Sequence, residues 1–191
     1  MHYKQQQQLD IKFKMKSIFL IIFICLFGLN TYGQRLNIDD FKLVESLPDW
    51  ITFKIDEIKT EKDLLLDKEM NPFYLETDFN GDDKLDIAFC VKDKLTNKKG
   101  ILIIHGGDFK TYLIGAGNNF AHVGDDFRFV ELWKIYRERV VELTEFAENG
   151  DILGNKEIKI ENDAIVVSKS ESASNLIAWQ NDKYVWLHTG D

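Results

Sequence analysis

From residue 72 onward the apolar positions fall in short runs separated by Gly, Asn, Asp and Ser. Pro72 to Thr77 reads as one strand and Asp86 to Val91 as the next. Ile101 to His105 and Phe109 to Ile114 follow, on either side of a tight turn at Gly106-Gly107-Asp108. The carboxyl end repeats the pattern: Glu157 to Ile160, a turn at Asn162-Asp163, Ala164 to Ser168, a Ser-rich loop, Asn175 to Gln180, a turn at Asn181-Asp182, and Lys183 to His188. Runs this short with turn residues between them predict a mainly β chain, an antiparallel meander forming a sandwich or an open barrel.

Toward the amino end the pattern changes. Ile51-Thr52-Phe53-Lys54-Ile55-Asp56 alternates apolar and polar residues and predicts a half-buried strand. Before it, Asp39 is placed to cap a short N-terminal helix carrying Phe41, Val44 and Leu47, which Pro48 stops. Lys59 to Met70 reads as a connection with one helical turn, and Leu64-Leu65-Leu66 is its only apolar run. Between residues 129 and 147 two periods compete. Phe129, Trp133, Tyr136, Val140, Leu143 and Ala147 have helical spacing, yet Val140 to Phe146 is β-branched and aromatic and runs into Asn149-Gly150, a strong hairpin signal. Two strands are the expectation.

A polar lead, Met1 to Lys14, precedes Met15-Lys16 and the apolar Ser17 to Leu29, and Thr31-Tyr32-Gly33 ends on a small residue. This order of basic, apolar and small residues predicts a secretory signal cleaved after Gly33, with Met15 as its expected start. A membrane span needs roughly 18 continuous apolar residues, and Gly28, Asn30 and Thr31 interrupt this run. A lipoprotein start at Cys25 is disfavoured by the bulky Ile24 before it. The expectation is thus an extension with signal at 1–33 and one domain at 34–191, secreted or periplasmic, with no membrane span after processing.

Processing removes four lysines and Asp10, leaving 158 residues with 20 basic and 31 acidic side chains, a net charge of −11. Phosphate tracking requires clustered Lys and Arg, so nucleic acid is excluded as an expected partner. All four tryptophans lie in the mature part, which suits a real core. Only Cys90 remains, so no internal disulfide forms.

The densest chemistry lies at Asp78-Phe79-Asn80-Gly81-Asp82-Asp83-Lys84-Leu85-Asp86, directly before the apolar Ile87 to Val91. Oxygen-bearing side chains at the first, third, fifth and ninth places, with glycine at the turn, are the donor set of a hard cation such as Ca2+. An EF-hand needs a bidentate Glu at its twelfth place, where this chain has Phe89. An ion-free hairpin rich in Asp and Asn is the bland alternative.

These residues and the following Ile87-Ala88 resemble the calcium loop of FG-GAP or VCBS-type repeats, Asp-x-Asn-Gly-Asp-Gly-x-x-Asp-Ile-Ala. The resemblance implies side-chain ligands from Asp78, Asn80, Asp82 and Asp86 and a backbone carbonyl from Lys84. It covers about fifteen residues, and Asp83 stands where the pattern has glycine. Asp tolerates left-handed backbone better than most residues. The nearest approach to a second copy, Glu148-Asn149-Gly150-Asp151, has Ala147 at its first place and Asn155 at its last. A propeller needs several stacked repeats.

Other candidate chemistry is thin. His105-Gly106-Gly107 lacks an accompanying Gly-x-Ser-x-Gly elbow and reads as a strand-end turn. Gly115-Ala116-Gly117 runs on to Phe120 where a dinucleotide fingerprint needs glycine. His105, His122 and His188 are scattered with no spaced cysteine, against a zinc site. The alternating Ser168, Ser170, Ser172 and Ser174 suit a solvated strand end, and Cys90 suits a buried inert thiol. The expectation is a calcium-binding, non-catalytic binding or structural module with a protein or glycan partner. A small secreted hydrolase, using a carboxylate pair or a Ser and His brought together by the fold, is the alternative.

Overall fold

Strand β3 (Asp86–Asp93) organises the molecule, because its residues from Asp86 to Val91 are all buried. The computed structural model describes residues 45–171 and 174–190, so the Asp39-capped helix and the secretory signal lie outside the described residues. The chain divides after Thr52 into two units. In the first, the one-turn helix α1 (Asp49–Thr52) follows Pro48, whose carbonyl accepts from the Ile51 amide at 3.1 Å and the Thr52 hydroxyl at 3.0 Å.

The second unit opens with helix α2 (Ile55–Glu61) and continues through strands β1 (Leu64–Leu66), β2 (Tyr74–Thr77), β3, β4 (Lys99–Ile104) and β5 (Thr111–Gly115). After these come β6 (Leu132–Tyr136), β7 (Val140–Phe146), β8 (Ile152–Lys159), β9 (Ala164–Ser168), β10 (Ser174–Gln180) and β11 (Lys183–Gly190). In the first sheet β1 and β2 pair with successive parts of one edge of β3, and β4 and β5 follow on the other side. The second sheet has the order β11-β10-β9-β6, and β7-β8 forms a separate ribbon. Every pairing among the described residues is antiparallel, and none of these sheets closes into a barrel.

Alternate side chains of each strand point to opposite faces. Ala88, Cys90, Ile101 and Ile103 of the first sheet therefore meet Trp133, Ile165, Val167, Ile177 and Tyr184 of the second in one core. The other face of the second sheet, Ala164, Val166, Leu176 and Ala178, packs with Val141 and Ile160. Strand β9 lies between these two clusters, which is why Ala164 to Val167 reads as continuous apolar sequence rather than alternation.

The expected meander, the two strands within 129–147 and the Asn149-Gly150 hairpin are all present. The closing β10-β11 hairpin turns through Asn181 and Asp182, both at positive φ (50° and 61°), a conformation that Asn and Asp adopt more readily than other side chains.

The strand expected over Ile51 to Asp56 does not form: α1 ends at Thr52, Phe53 and Lys54 turn, and α2 starts at Ile55. Six residues are too few for alternation to decide. In α2 the buried side chains are Ile55 and Ile58, three apart as one helix face requires, while Phe53, an apolar position of the alternation, is 68% exposed. Ion pairs three residues apart, Lys54 to Glu57 and Asp56 to Lys59, fit the helical spacing. The connection expected over residues 59–70 contains strand β1, whose three leucines pair with Val91 to Asp93. No helix among the described residues is long and apolar enough to cross a membrane.

Candidate metal centre

The loop between β2 and β3 is closed at its base by the Thr77-Asp86 strand pair. Phe79, fully buried, anchors it from within, joining the core that the two sheets share. Around that anchor the polar side chains fold back onto the loop's own amides. Asp78 Oδ1 accepts from Gly81 N at 2.6 Å, and Asp78 Oδ2 from Asp83 N at 2.9 Å. Asn80 Oδ1 accepts from Asp82 N at 2.9 Å, and Asp82 Oδ1 from Lys84 N at 3.0 Å. The Asn80 and Asp82 bonds close Asx-turns, those of Asp78 reach three and five residues on, and together they wind the chain into a coil. Asp83 takes the left-handed conformation, φ 64°, at the place where the family pattern has glycine.

Asp86 differs from the other carboxylates. It is fully buried, Oδ2 accepting from Phe79 N at 2.9 Å and Oδ1 from Gly106 N at 2.8 Å. Burial pushes its carboxyl up to about 6, against the pull of those two amides and with help from the charges of Asp78 and Asp82. The bond to Gly106 ties the loop to the corner between β4 and β5. A side chain at 106 has no room there, because its Cβ would lie 2.2 Å from the Leu85 carbonyl oxygen.

The neighbouring residue of that corner, His105, is also buried. Its Nδ1 lies 3.0 Å from Asn80 Nδ2 and its Nε2 2.8 Å from the Tyr184 hydroxyl. An amide NH2 has only protons to offer, so Nδ1 accepts, and the ring is the neutral tautomer with its proton on Nε2. Burial holds the imidazole below its ordinary value. Tyr112, Trp179 and Tyr184 surround it, with ring centroids 4.6, 4.9 and 5.8 Å away. Sequence reading treated His105 as part of a strand-end turn, which it is, but missed that it supports the acidic loop.

Of the five sequence-derived ligands, Asp78, Asn80 and Asp82 lie in the coiled turns, and Lys84 contributes its amide to Asp82. The Asp83 and Lys84 side chains are exposed. Asp86 sits beneath, held by backbone amides. Among the described residues no group of three or more His, Cys, Asp or Glu side chains is set to hold a metal. Even so, the donor chemistry fits a hard cation. Asp78 Oδ1 accepts from both Gly81 N and Asp82 N, but Asp78 Oδ2, Asn80 Oδ1 and Asp82 Oδ1 each accept one amide and keep a further lone pair. No Lys or Arg forms an ion pair with Asp78, Asp82, Asp83 or Asp86 among the described residues.

Beside the loop lies a polar cleft of about 330 Å³, lined in part by Asp78, Asp83, Arg139, Glu161, Asn162 and Asp163. The terminal nitrogens Nη1 and Nη2 of Arg139 both donate to Asp163 Oδ1 at 3.0 Å, and the Thr77 hydroxyl donates to Asp163 Oδ2 at 2.6 Å. A second, much smaller cavity of about 10 Å³ is lined in part by Asp67, Cys90 and Lys99. Neither is lined by Ser or His. Burial raises the Cys90 thiol to about 12, as expected of an inert thiol.

No protein-family model, curated protein or solved structure matches the chain.

Proposed function

We propose that the protein is a secreted calcium-binding β domain that works as a non-catalytic binding or structural module, with the loop from Asp78 to Asp86 as its ion site. One observation carries the reading: four carboxylates crowd a coiled loop, those of Asp78, Asp82 and Asp86 bonded to backbone amides, while Asp86 and Phe79 fasten that loop to the core. Asp78, Asn80, Asp82 and Asp86 would hold the ion by side-chain oxygen, and Lys84 by its carbonyl. Bound calcium would supply positive charge that offsets the carboxylate repulsion and would cross-link a domain whose one described cysteine, Cys90, is free. Asp86 and Gly106 keep the loop's exit in place, and the coiled turns hold the rim residues close together. The polar cleft beside the loop is the concave surface offered to a protein or glycan partner.

The test is a calcium titration of the mature protein followed by amide NMR. One saturable site is expected, with shifts concentrated at residues 78–86 and an affinity of about 10⁻⁴ to 10⁻³ M. Amide positions that stay fixed through millimolar calcium would overturn the reading.

A further inference from the structure

We propose that His105, which is not one of the ion's ligands, is the positioning residue that presets Asn80 for the cation. The inference rests on the ion reading above and assigns a regulator of the same site. Asn80 has two chemically different ends, and the structure uses both. Its oxygen accepts from the Asp82 amide at 2.9 Å, and its NH2 faces His105 Nδ1 at 3.0 Å. Rotating the amide by half a turn would set NH2 against the Asp82 N–H, donor to donor, and would remove the oxygen that a hard cation requires. What fixes the correct orientation from below is an acceptor at Nδ1. That acceptor exists because Nε2 carries the ring proton toward Tyr184 Oη, 2.8 Å away on β11 of the other sheet. The next residue, Gly106, holds Asp86 through its amide. Two consecutive residues of the β4-β5 corner therefore set the third and ninth places of the loop, and Tyr184 links that corner to the second sheet.

The experiment compares His105→Asn with His105→Gln in the full mature chain, measuring calcium affinity by amide NMR and melting temperature in chelator. Asparagine places a carboxamide near the position of Nδ1 and can accept from Asn80. Glutamine places its carboxamide near Nε2 and leaves Asn80 without an acceptor. The expected result is calcium binding weakened about tenfold in His105→Gln, a 1.4 kcal/mol effect, and largely kept in His105→Asn, whatever the two melting temperatures. Equal affinities in the two variants would overturn the positioning role while leaving the ion site standing. A wild-type chain that does not bind calcium would overturn the ion reading and this role with it. Imidazole nitrogen shifts of the wild-type protein test the same point without a variant: Nδ1 free of its proton, with and without calcium, is expected, and a protonated Nδ1 would overturn the proposal.

Discussion

The amide of Gly106 stands 2.8 Å from Oδ1 of Asp86, a residue twenty positions earlier in the chain, and the carboxylate that joins them is fully buried. Its other oxygen takes the Phe79 amide at 2.9 Å. Asp86 thus connects three backbone segments: the acidic loop, the start of β3 and the β4-β5 corner. Replacing it with alanine leaves two amides without partners, each costing about 1–3 kcal/mol when buried. Relief of carboxylate burial offsets part of that. A net loss of about 2–4 kcal/mol is expected from urea unfolding of Asp86→Ala. Asp86→Asn keeps one acceptor and should lose about half as much. A stability equal to wild type in both variants would show that the two amides find other partners.

Asp83 provides a test of the turn alone. Its left-handed backbone, φ 64°, is where side chains other than Asn and Asp are strained, by roughly 1–2 kcal/mol per residue. Both Asp83→Gly and Asp83→Val remove the same charge from the loop, so the difference between them isolates the backbone term. Glycine is expected to be more stable than valine by about 1–2 kcal/mol in thermal unfolding. Its amide bond to Asp78 belongs to the main chain and persists in either case. Equal melting temperatures would mean that the turn relaxes out of the left-handed region.

How far the sequence displayed these relationships depended on their range. Short runs and turn residues made the strands legible, since period-two alternation and the Asn149-Gly150 and Asn181-Asp182 turns are local properties. Ile51 to Asp56 misled because its six-residue alternation stops short of Ile58, which with Ile55 forms the buried helix face. The loop was legible as a set of oxygen donors, but the burial of Asp86 was not, because Gly106 reaches it only after β3 and β4 have paired. His105 was illegible for the same reason: Asn80 and Tyr184, its two polar partners, lie 25 and 79 residues away.

Asp67 contributes to the acid limb of stability, below the range of about pH 4 to 6 in which the raised Asp86 carboxyl acts in the opposite sense. Its side chain is 1% exposed, with Lys99 Nζ at 2.8 Å from Oδ2 and Lys92 Nζ at 3.2 Å from Oδ1. The Lys99 contact is ionic, since Oδ2 has no well-aligned hydrogen-bond partner. Burial alone would raise the carboxyl, but the two lysines and the Glu69 amide outweigh it and hold the group below its ordinary value of 3.8. A depressed carboxylate contributes stability that is present above its unfolded pKa and is lost as the pH falls through the folded one. Unfolding free energy should therefore decline below about pH 4, and more steeply in wild type than in Asp67→Asn. At neutral pH that variant should cost about 1–3 kcal/mol, less than a fully buried pair because both lysine side chains are partly exposed. Identical acid limbs for the two proteins would remove Asp67 from the account.

Asp78 separates the calcium reading from that of an ion-free hairpin. Its carboxylate is bonded to the amides of Gly81, Asp82 and Asp83 in solvent-exposed bonds, so Asp78→Ala should cost only about 1 kcal/mol. The chain stays folded because Phe79, Leu75 and Ala88 keep their places in the core. An ion that binds the folded state alone stabilises it by RT ln(1 + [L]/Kd), which is roughly 0.4–1.4 kcal/mol at one to ten times Kd. Wild-type protein should accordingly melt a few degrees higher in millimolar calcium than in chelator. For Asp78→Ala the two curves should coincide. A calcium shift that survives in Asp78→Ala would place the ion elsewhere, and wild-type curves that coincide would leave the loop as a self-bonded hairpin.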